Sequence, residues 1–342
     1  MFFNGLFSKN KAILGVDIGT SNIKIAQISH EQGSFVLDTY GVVNCPYKLG
    51  DKDNDFAVEQ MAKILKTLAE KAGVTTKRCV ISFPNSAVFT SVISLPKMSK
   101  KELASAIEFE ARKYVPLPLP EVDLSSAIIS GEQPGAENLK ILLTAVPKQI
   151  TQNYAKMFSL AGFKPEVADI EALALLRTLV GNTNTNCVII DIGARSTGVD
   201  IIEQGFLRLS RNLNIGGDTI TDKIAQSLNI SKFRAEQFKR DFGVSSATFI
   251  PDAIKPVLNI IKGEVKQFLN IYQSQNTQVE KIILVGGGAN LPGIVNFFED
   301  LQVKVELGDP LRAISYGKSL EPVLKRFALS LPIAIGLGLR KI

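Results

Sequence analysis

Residues 13–28 read ILGVDIGTSNIKIAQI, and residues 187–202 read CVIIDIGARSTGVDII. Asp17-Ile18-Gly19 and Asp191-Ile192-Gly193 stand 174 residues apart in a chain of 342, close to half its length, and apolar positions match on both sides. A motif that recurs at half-chain spacing marks two related halves. Each copy reads as a β-hairpin: an apolar strand, a tight Asp-x-Gly turn rich in small hydroxyl residues, and a second strand. Glycine lets the backbone approach a ligand closely, and successive amides with hydroxyls make an anion-binding concavity. The aspartate at each strand end supplies a carboxylate for a hydrated cation. Two such turns facing each other across a cleft would hold the phosphates of a nucleotide from both sides.

A third element supports the same chemistry. Lys281 to Val285 is a buried-type strand that runs into Gly286-Gly287-Gly288-Ala289-Asn290, after which Ile294, Phe297, Phe298 and Leu301 predict a helix. Glycines directly after a strand let a flat or charged ligand lie against the main chain. The run is neither Gly-x-Gly-x-x-Gly with a distant acid nor the Gly-x-x-x-x-Gly-Lys-Ser/Thr loop, so the two common nucleotide signatures are excluded.

Composition narrows the chemistry further. With 45% hydrophobic and 21% charged residues the chain is globular, and disorder is excluded. Lys and Arg number 39 against 33 Asp and Glu, a mild excess of +6. The run Lys97 to Lys101 is short and adjoins Glu102, so it reads as a solvated helix face; no nucleic-acid partner is expected. A mildly basic surface suits work near an anionic membrane. Cys45, Cys79 and Cys187 are odd in number and lie in or beside strand-like runs, as buried reduced thiols of a cytosolic protein do. The one histidine, His30, reads as a surface turn residue, which removes histidine triads and Cys/His zinc sites. Catalysis is left to carboxylates, lysines, backbone amides and a metal that arrives with the substrate. No run reaches the roughly 18–20 apolar residues of a membrane span. Phe2, Phe3, Leu6 and Phe7 precede Lys9 and Lys11, the reverse of a signal peptide's charge order, so the N-terminal tip is expected to dock on the body of the protein.

Asp17-x-Gly-Thr, the second Asp-x-Gly and Val285-Gly-Gly-Gly-Ala289 on a duplicated α/β frame resemble the actin-like ATPase superfamily, which includes actin, heat-shock chaperone ATPase domains, sugar kinases, FtsA and MreB. The fold class implied is α/β: a duplicated actin-like ATPase fold of two ribonuclease-H-like halves, with an FtsA-like 1C insertion. Residues 1–88, 164–185 and 313–342 would form the first half, 89–163 the inserted partner-binding subdomain, and 186–312 the second half. The resemblance implies ATP or ADP with Mg²⁺ as cofactors. The two hairpins would be the phosphate loops, through Gly19, Thr20, Ser21, Asn22 and Lys24, and through Gly193, Arg195, Ser196 and Thr197. Asp17 and Asp191 would hold the Mg²⁺ through its waters, and Glu171, on a connecting helix, would orient the attacking water. Gly216, Gly217, Glu236 and Lys239 would border the nucleoside, while Gly286, Gly287, Gly288 and Asn290 cradle it. Phe327 to Arg340, with Gly336 and Gly338, is similar to the second connecting helix.

Within that superfamily the chain is most similar to the PilM family of type IV pilus assembly. The matching stretches are Leu14 to Ser21, Ser94 to Ser99, Ile107 to Ala111, Tyr114 to Pro116, Ala161 to Pro165 and Glu171 to Ala174. The insertion is legible locally: Ser99 and Glu102 form a capping box that opens a helix ended by Pro116, two strands follow at Asp123–Ile129 and Leu139–Val146 around a turn-rich loop at Gly131 to Gly135, and a second helix runs from Pro147 to Gly162. The resemblance implies that the groove between this insertion and the first half takes the N-terminal cytoplasmic peptide of a PilN-like inner-membrane protein, with Phe89, Ile107, Glu108 and Arg112 near it. It also implies other pilus platform proteins, assembly ATPases and self-association as partners, and a cytoplasmic location at the inner face of the membrane. Two alternatives stay open at this point, a filament-forming FtsA- or MreB-like ATPase and a sugar or acid kinase. ATPase activity itself is left uncertain, slow or gated by a partner.

Overall fold

The computed structural model describes residues 12–31, 33–49, 54–130, 137–245, 250–274 and 278–342. The apolar tip at Phe2 to Phe7 and the loop at Gly131 to Gly135 lie outside the described residues.

Apolar runs bounded by the Asp-x-Gly turn give β1 (Ile13–Ile18) and β2 (Asn22–Glu31), followed by β3 (Ser34–Asn44), α1 (Asp55–Ala72) and β4 (Arg78–Phe83). Asn54 caps α1 by accepting from the Ala57 amide at 3.1 Å, and Gly73, in the left-handed region at φ 70°, closes it. β5 (Phe89–Pro96), α2 (Lys100–Tyr114), β6 (Val122–Ser130), β7 (Asn138–Pro147) and α3 (Lys148–Ala161) come next. The capping box on α2 is present, with the Ser99 side chain accepting from the Glu102 amide and Glu102 accepting from the Ser99 amide. β8 (Lys164–Ile170) leads into α4 (Glu171–Leu179). The second half brings β9 (Cys187–Ile192), β10 (Thr197–Glu203), β11 (Phe206–Leu213), α5 (Gly217–Leu228), α6 (Lys232–Phe242), α7 (Ile250–Ser274), β12 (Lys281–Val285), α8 (Ile294–Phe298) and β13 (Lys304–Leu307). β14 (Ser315–Tyr316), α9 (Glu321–Phe327) and α10 (Pro332–Gly338) end the described chain.

These strands form three sheets: six strands in the order β14-β3-β2-β1-β4-β8, five in the order β11-β10-β9-β12-β13, and three in the order β5-β7-β6. β1 pairs antiparallel with β2 and parallel with β4; β9 pairs antiparallel with β10 and parallel with β12. The duplication read from the sequence is thus a duplication of pairing pattern. The large sheets enclose α4 and α10, whose Leu175, Ile333 and Leu337 meet Ile13 and Val80 from one sheet and Ile189 and Ile283 from the other. α1 and α3 cover the outer face of the first sheet, and α5, α6, α7 and α8 that of the second.

The three-stranded sheet buries one face under α2. Its opposite face, through Val92 and Leu142, joins the cluster that contains Leu207 of β11, so the insertion leans on both halves. Two local expectations are corrected. The helix expected through Leu301 stops at Phe298 and continues only as a 3-10 turn, because Gln302 takes a left-handed conformation at φ 59°. His30 lies in β2 rather than a turn, exposed, with its ring 5.0 Å from that of Phe35. No helix among the described residues is long and apolar enough to cross a membrane.

Candidate nucleotide site

The two hairpin turns close alike. Gly19 donates its amide to the Asn22 carbonyl at 3.0 Å, and Gly193 donates to Ser196 at 2.9 Å, the same pair displaced by 174 residues. A Cβ on either glycine would press on that carbonyl, at 3.0 and 2.9 Å. Asp17, next to the last residue of β1, lies opposite Lys24 in the ladder, and the Lys24 ammonium reaches its Oδ2 at 2.8 Å. Lys24, expected to contact phosphate, therefore has a carboxylate partner within the chain. Asp17 Oδ1 is buried and has no hydrogen-bond partner.

Three carboxylates surround this one ammonium. Glu171, at the start of α4, accepts the Asn85 amide on Oε2 at 3.1 Å. Burial pushes its carboxyl well above the usual range, helped by the charges of Asp17 and Asp191 and opposed by Asn85 and Lys24. Burial likewise pushes Asp191 up to about 6, with Lys24 pulling it down and Asp17 adding to the rise. For Lys24, burial acts downward, but Asp17, Asp191 and Glu171 outweigh it and the ammonium is held above its ordinary value. The surplus of negative charge and the unpartnered Asp17 oxygen suit an added divalent cation, so the residues present fit Mg²⁺.

Around the second turn the backbone folds back on itself. Gly217 and Asp218 donate their amides to the carbonyls of Gly193 and Ala194 at 3.0 and 2.7 Å, and a Cβ on Gly216 would fall 2.6 Å from the Gly193 oxygen. Lys239, from α6, donates to the Gly217 carbonyl at 3.1 Å, to Thr221 Oγ1 at 2.9 Å and to Glu236 at 2.5 Å. Glu236, Lys239, Gly216 and Gly217 thus form one cluster. Arg195 reaches out to Asp218 at 3.3 Å, and Thr197 donates inward to the Ile215 carbonyl at 2.8 Å.

The glycine run splits into two roles. Gly286 sits at φ 86° and Gly288 lies tight on Ile192, where added Cβ atoms would come within 2.3 Å of Asp191 Oδ1 and of Ile192 Cγ2. Gly287 instead faces open space, with only Ser330 Oγ at 3.8 Å from its virtual Cβ. Asn290 donates back to the Gly287 carbonyl at 3.3 Å.

Beside the first turn a groove of about 470 Å³ opens between the first half and the insertion, lined by Ile18, Gly19, Thr20, Phe89, Leu117 and Tyr154 among others. Phe89 is in it. Ile107, Glu108 and Arg112 are not: Ile107 packs inward from α2 onto the three-stranded sheet, and Glu108 and Arg112 pair with each other at 3.9 Å on the solvent side of that helix. Helical spacing alone did not tell which stripe of α2 the sheet would cover.

The family model for type IV pilus assembly protein PilM matches residues 15–342. The chain belongs to the PilM family of type IV pilus assembly proteins. It is similar to a solved PilM-PilN type IV pilus biogenesis complex, at 28% identity and a TM-score of 0.85 over 96% of this chain and 98% of that one. The cell division protein FtsA of Streptococcus pneumoniae serotype 2 (strain D39) is 25% identical across 86% of this chain and 75% of its own length. MreB 5 of Spiroplasma citri bound to AMPPNP shares the actin-like fold at 14% identity and a TM-score of 0.53, covering 92% of this chain and 97% of that one.

Three polar features of the fold have little or no local signal in the sequence. Asn85 has no local signal, since it reaches Glu171 only through the fold. Asp169, in β8, is buried and accepts Arg177 and Arg340 on Oδ2, both at 2.5 Å, tying α4 to the residues after α10. Asp200 is fully buried on β10 with neither carboxylate oxygen hydrogen-bonded; a carboxylate amid the apolar run Val199 to Ile202 is a signal that was available.

Proposed function

We propose that the chain is a nucleotide-binding scaffold of the type IV pilus assembly platform, whose groove between the first half and the insertion takes the N-terminal cytoplasmic peptide of a PilN-like inner-membrane protein. The observation that carries this reading is shared lining: Gly19 and Thr20 belong both to the first phosphate turn and to the groove. A nucleotide that orders the turn therefore alters one wall of the peptide site. Backbone amides of the two turns hold the β-phosphate of ATP or ADP and the γ-phosphate of ATP, and the glycine run with Glu236 and Lys239 borders the nucleoside. Asp17 and Asp191 would hold Mg²⁺, which would supply charge neutralisation of the phosphates when bound. Glu171, whose carboxyl burial holds well above its usual range, would orient the attacking water, which fits slow or partner-gated hydrolysis. The anchoring peptide holds the protein at the inner face of the membrane, where platform proteins, assembly ATPases and further copies of the chain are within reach.

Two measurements test this reading. In calorimetric titration with ATP and Mg²⁺, Gly287→Val weakens binding at least 30-fold while leaving the melting temperature within about 2 °C, since the new side chain meets solvent space rather than protein. Asp191→Ala loses affinity through the cation instead, and unchanged affinity in both variants sinks the site. For the groove, Phe89→Asp and the surface variant Leu117→Asp each weaken a fluorescently labelled synthetic PilN-type N-terminal peptide about tenfold or more, a loss of roughly 1.4 kcal/mol. If both bind as tightly as the parent chain, the peptide sits elsewhere.

A further inference from the structure

At the far margin of the six-stranded sheet, β3 outruns its neighbour. β14 pairs only with Val36 and Leu37, so among the described residues no strand lies beside the outer edge from Asp38 to Asn44. Open edges present unpaired N–H and C=O groups and act as templates for another strand. α1 overhangs this edge. Thr39 Oγ1 donates to the Ala72 carbonyl at 2.6 Å, and Gly41 makes room for the helix, since a Cβ there would fall 2.8 Å from Leu68 Cδ1. Between strand and helix runs a groove of about 520 Å³ with an apolar floor of Val43, Ile64 and Leu68. Lys63 and Lys71 line it, both exposed, and no carboxylate does.

We propose that this edge and groove bind an extended acidic segment of a protein partner, added to the sheet as an extra strand beside β3. Main-chain pairing gives such a complex its affinity, and alternate side chains give it specificity. The spacing sets the pattern. Lys63 and Lys71 are eight residues apart on α1, about 12 Å along its axis at roughly 1.5 Å per residue. Strand residues four apart point to the same face about 13 Å apart. The matching segment therefore carries acids at two positions four apart, with an apolar residue midway to meet Ile64 and Leu68. The charge of the groove disfavours residues 1–11 of the chain itself, which hold Lys9 and Lys11 and no acid. This surface is separate from the groove at the phosphate turn and shares no lining residue with it.

The test uses the full chain and the labelled peptide acetyl-Ser-Glu-Thr-Val-Thr-Glu-Ser-amide, with a control in which lysine replaces both glutamates. Fluorescence anisotropy is expected to show binding of the acidic peptide at least tenfold tighter than of the control, with that preference abolished in the surface double variant Lys63→Glu/Lys71→Glu. Hydrogen exchange is expected to show new amide protection confined to residues 38–44 when the acidic peptide is bound. Equal binding of both peptides, or protection outside this edge, overturns the proposal. So does protection of residues 38–44 in the free chain that vanishes on deleting residues 1–11, or that grows with protein concentration, since the occupant is then the chain's own N-terminal segment or a second copy.

Discussion

Asp200→Asn stabilises the chain by roughly 4 kcal/mol at pH 8 and changes it little at pH 4. Asp200 is fully buried on β10 between Ile189 of β9 and Ser210 of β11. Neither of its oxygens is hydrogen-bonded. Burial pushes its carboxyl from the ordinary 3.8 up to about 7, and the Asp191 charge adds to the rise. The folded chain thus holds this proton more tightly than the unfolded chain does. Below pH 3.8 the group is protonated in both states and contributes no difference; stability then falls as pH rises through 7, above which the loss is complete. The gap between 3.8 and about 7, at about 1.4 kcal/mol per pH unit, amounts to roughly 4 kcal/mol. A neutral amide of the same shape has no proton to lose. Urea denaturation of the parent and the variant from pH 4 to pH 8 checks this: the difference between them opens up to pH 7 and then stays level. Two curves that remain parallel over the whole range would show that Asp200 is solvated or paired in solution.

Gly336→Ala destabilises the fold by about 3 kcal/mol, the upper end of what overpacking a core costs, because backbone lies where the new methyl would go. α10 crosses α4 at this glycine, where a Cβ would lie 2.0 Å from the Ala174 carbonyl oxygen and 2.5 Å from Thr178 Oγ1. On the other side of α10, Gly15 of β1 allows an equally close approach, with a Cβ there 1.9 Å from the Ala334 oxygen. The crossing is also pinned by polar bonds: Thr178 Oγ1 donates to the Pro332 carbonyl at 2.7 Å, and Arg177 Nε to the Gly336 carbonyl at 2.9 Å. Separating the helices enough to admit a methyl group breaks these bonds and disturbs the Asp169 clasp that joins Arg177 to Arg340. Gly263→Ala is the matched control, because that glycine is exposed within α7 and a Cβ there meets nothing within 4 Å. It is expected to stabilise by about 0.5–1 kcal/mol through helix propensity. If both substitutions shift the denaturation midpoint alike, the crossing is not tightly packed.

Much of the fold was legible because its deciding elements are local. The hairpins at Asp17 and Asp191, the strand into Gly286, and the caps at Ser99 and Gly162 each announce themselves within about ten residues, through apolar alternation, turn chemistry or a capping side chain. The candidate site was legible in its glycines and its aspartates but not in how they divide the work. Nothing in the run Gly286 to Gly288 tells that the outer two glycines serve close packing on Asp191 and Ile192 while Gly287 alone has open space around its Cβ position. Nor does the α2 sequence tell that Glu108 and Arg112 face solvent, since Ile107 and its neighbours suit more than one helical stripe.

By itself the sequence determined that the chain is duplicated, that its one histidine leaves no histidine triad, and that an α/β insertion interrupts its first half. Those properties follow from short-range periodicity and from composition, which folding cannot change. Only the tertiary structure decided that Asp17, Glu171 and Asp191 converge on Lys24, that Asn85 reaches Glu171 across 86 residues, and that one turn lines both the candidate nucleotide site and the groove beside the insertion. Charges separated by tens to hundreds of residues alter each other's protonation only when packing brings them together and excludes water, and that packing is set by helix crossings and sheet order rather than by any local pattern.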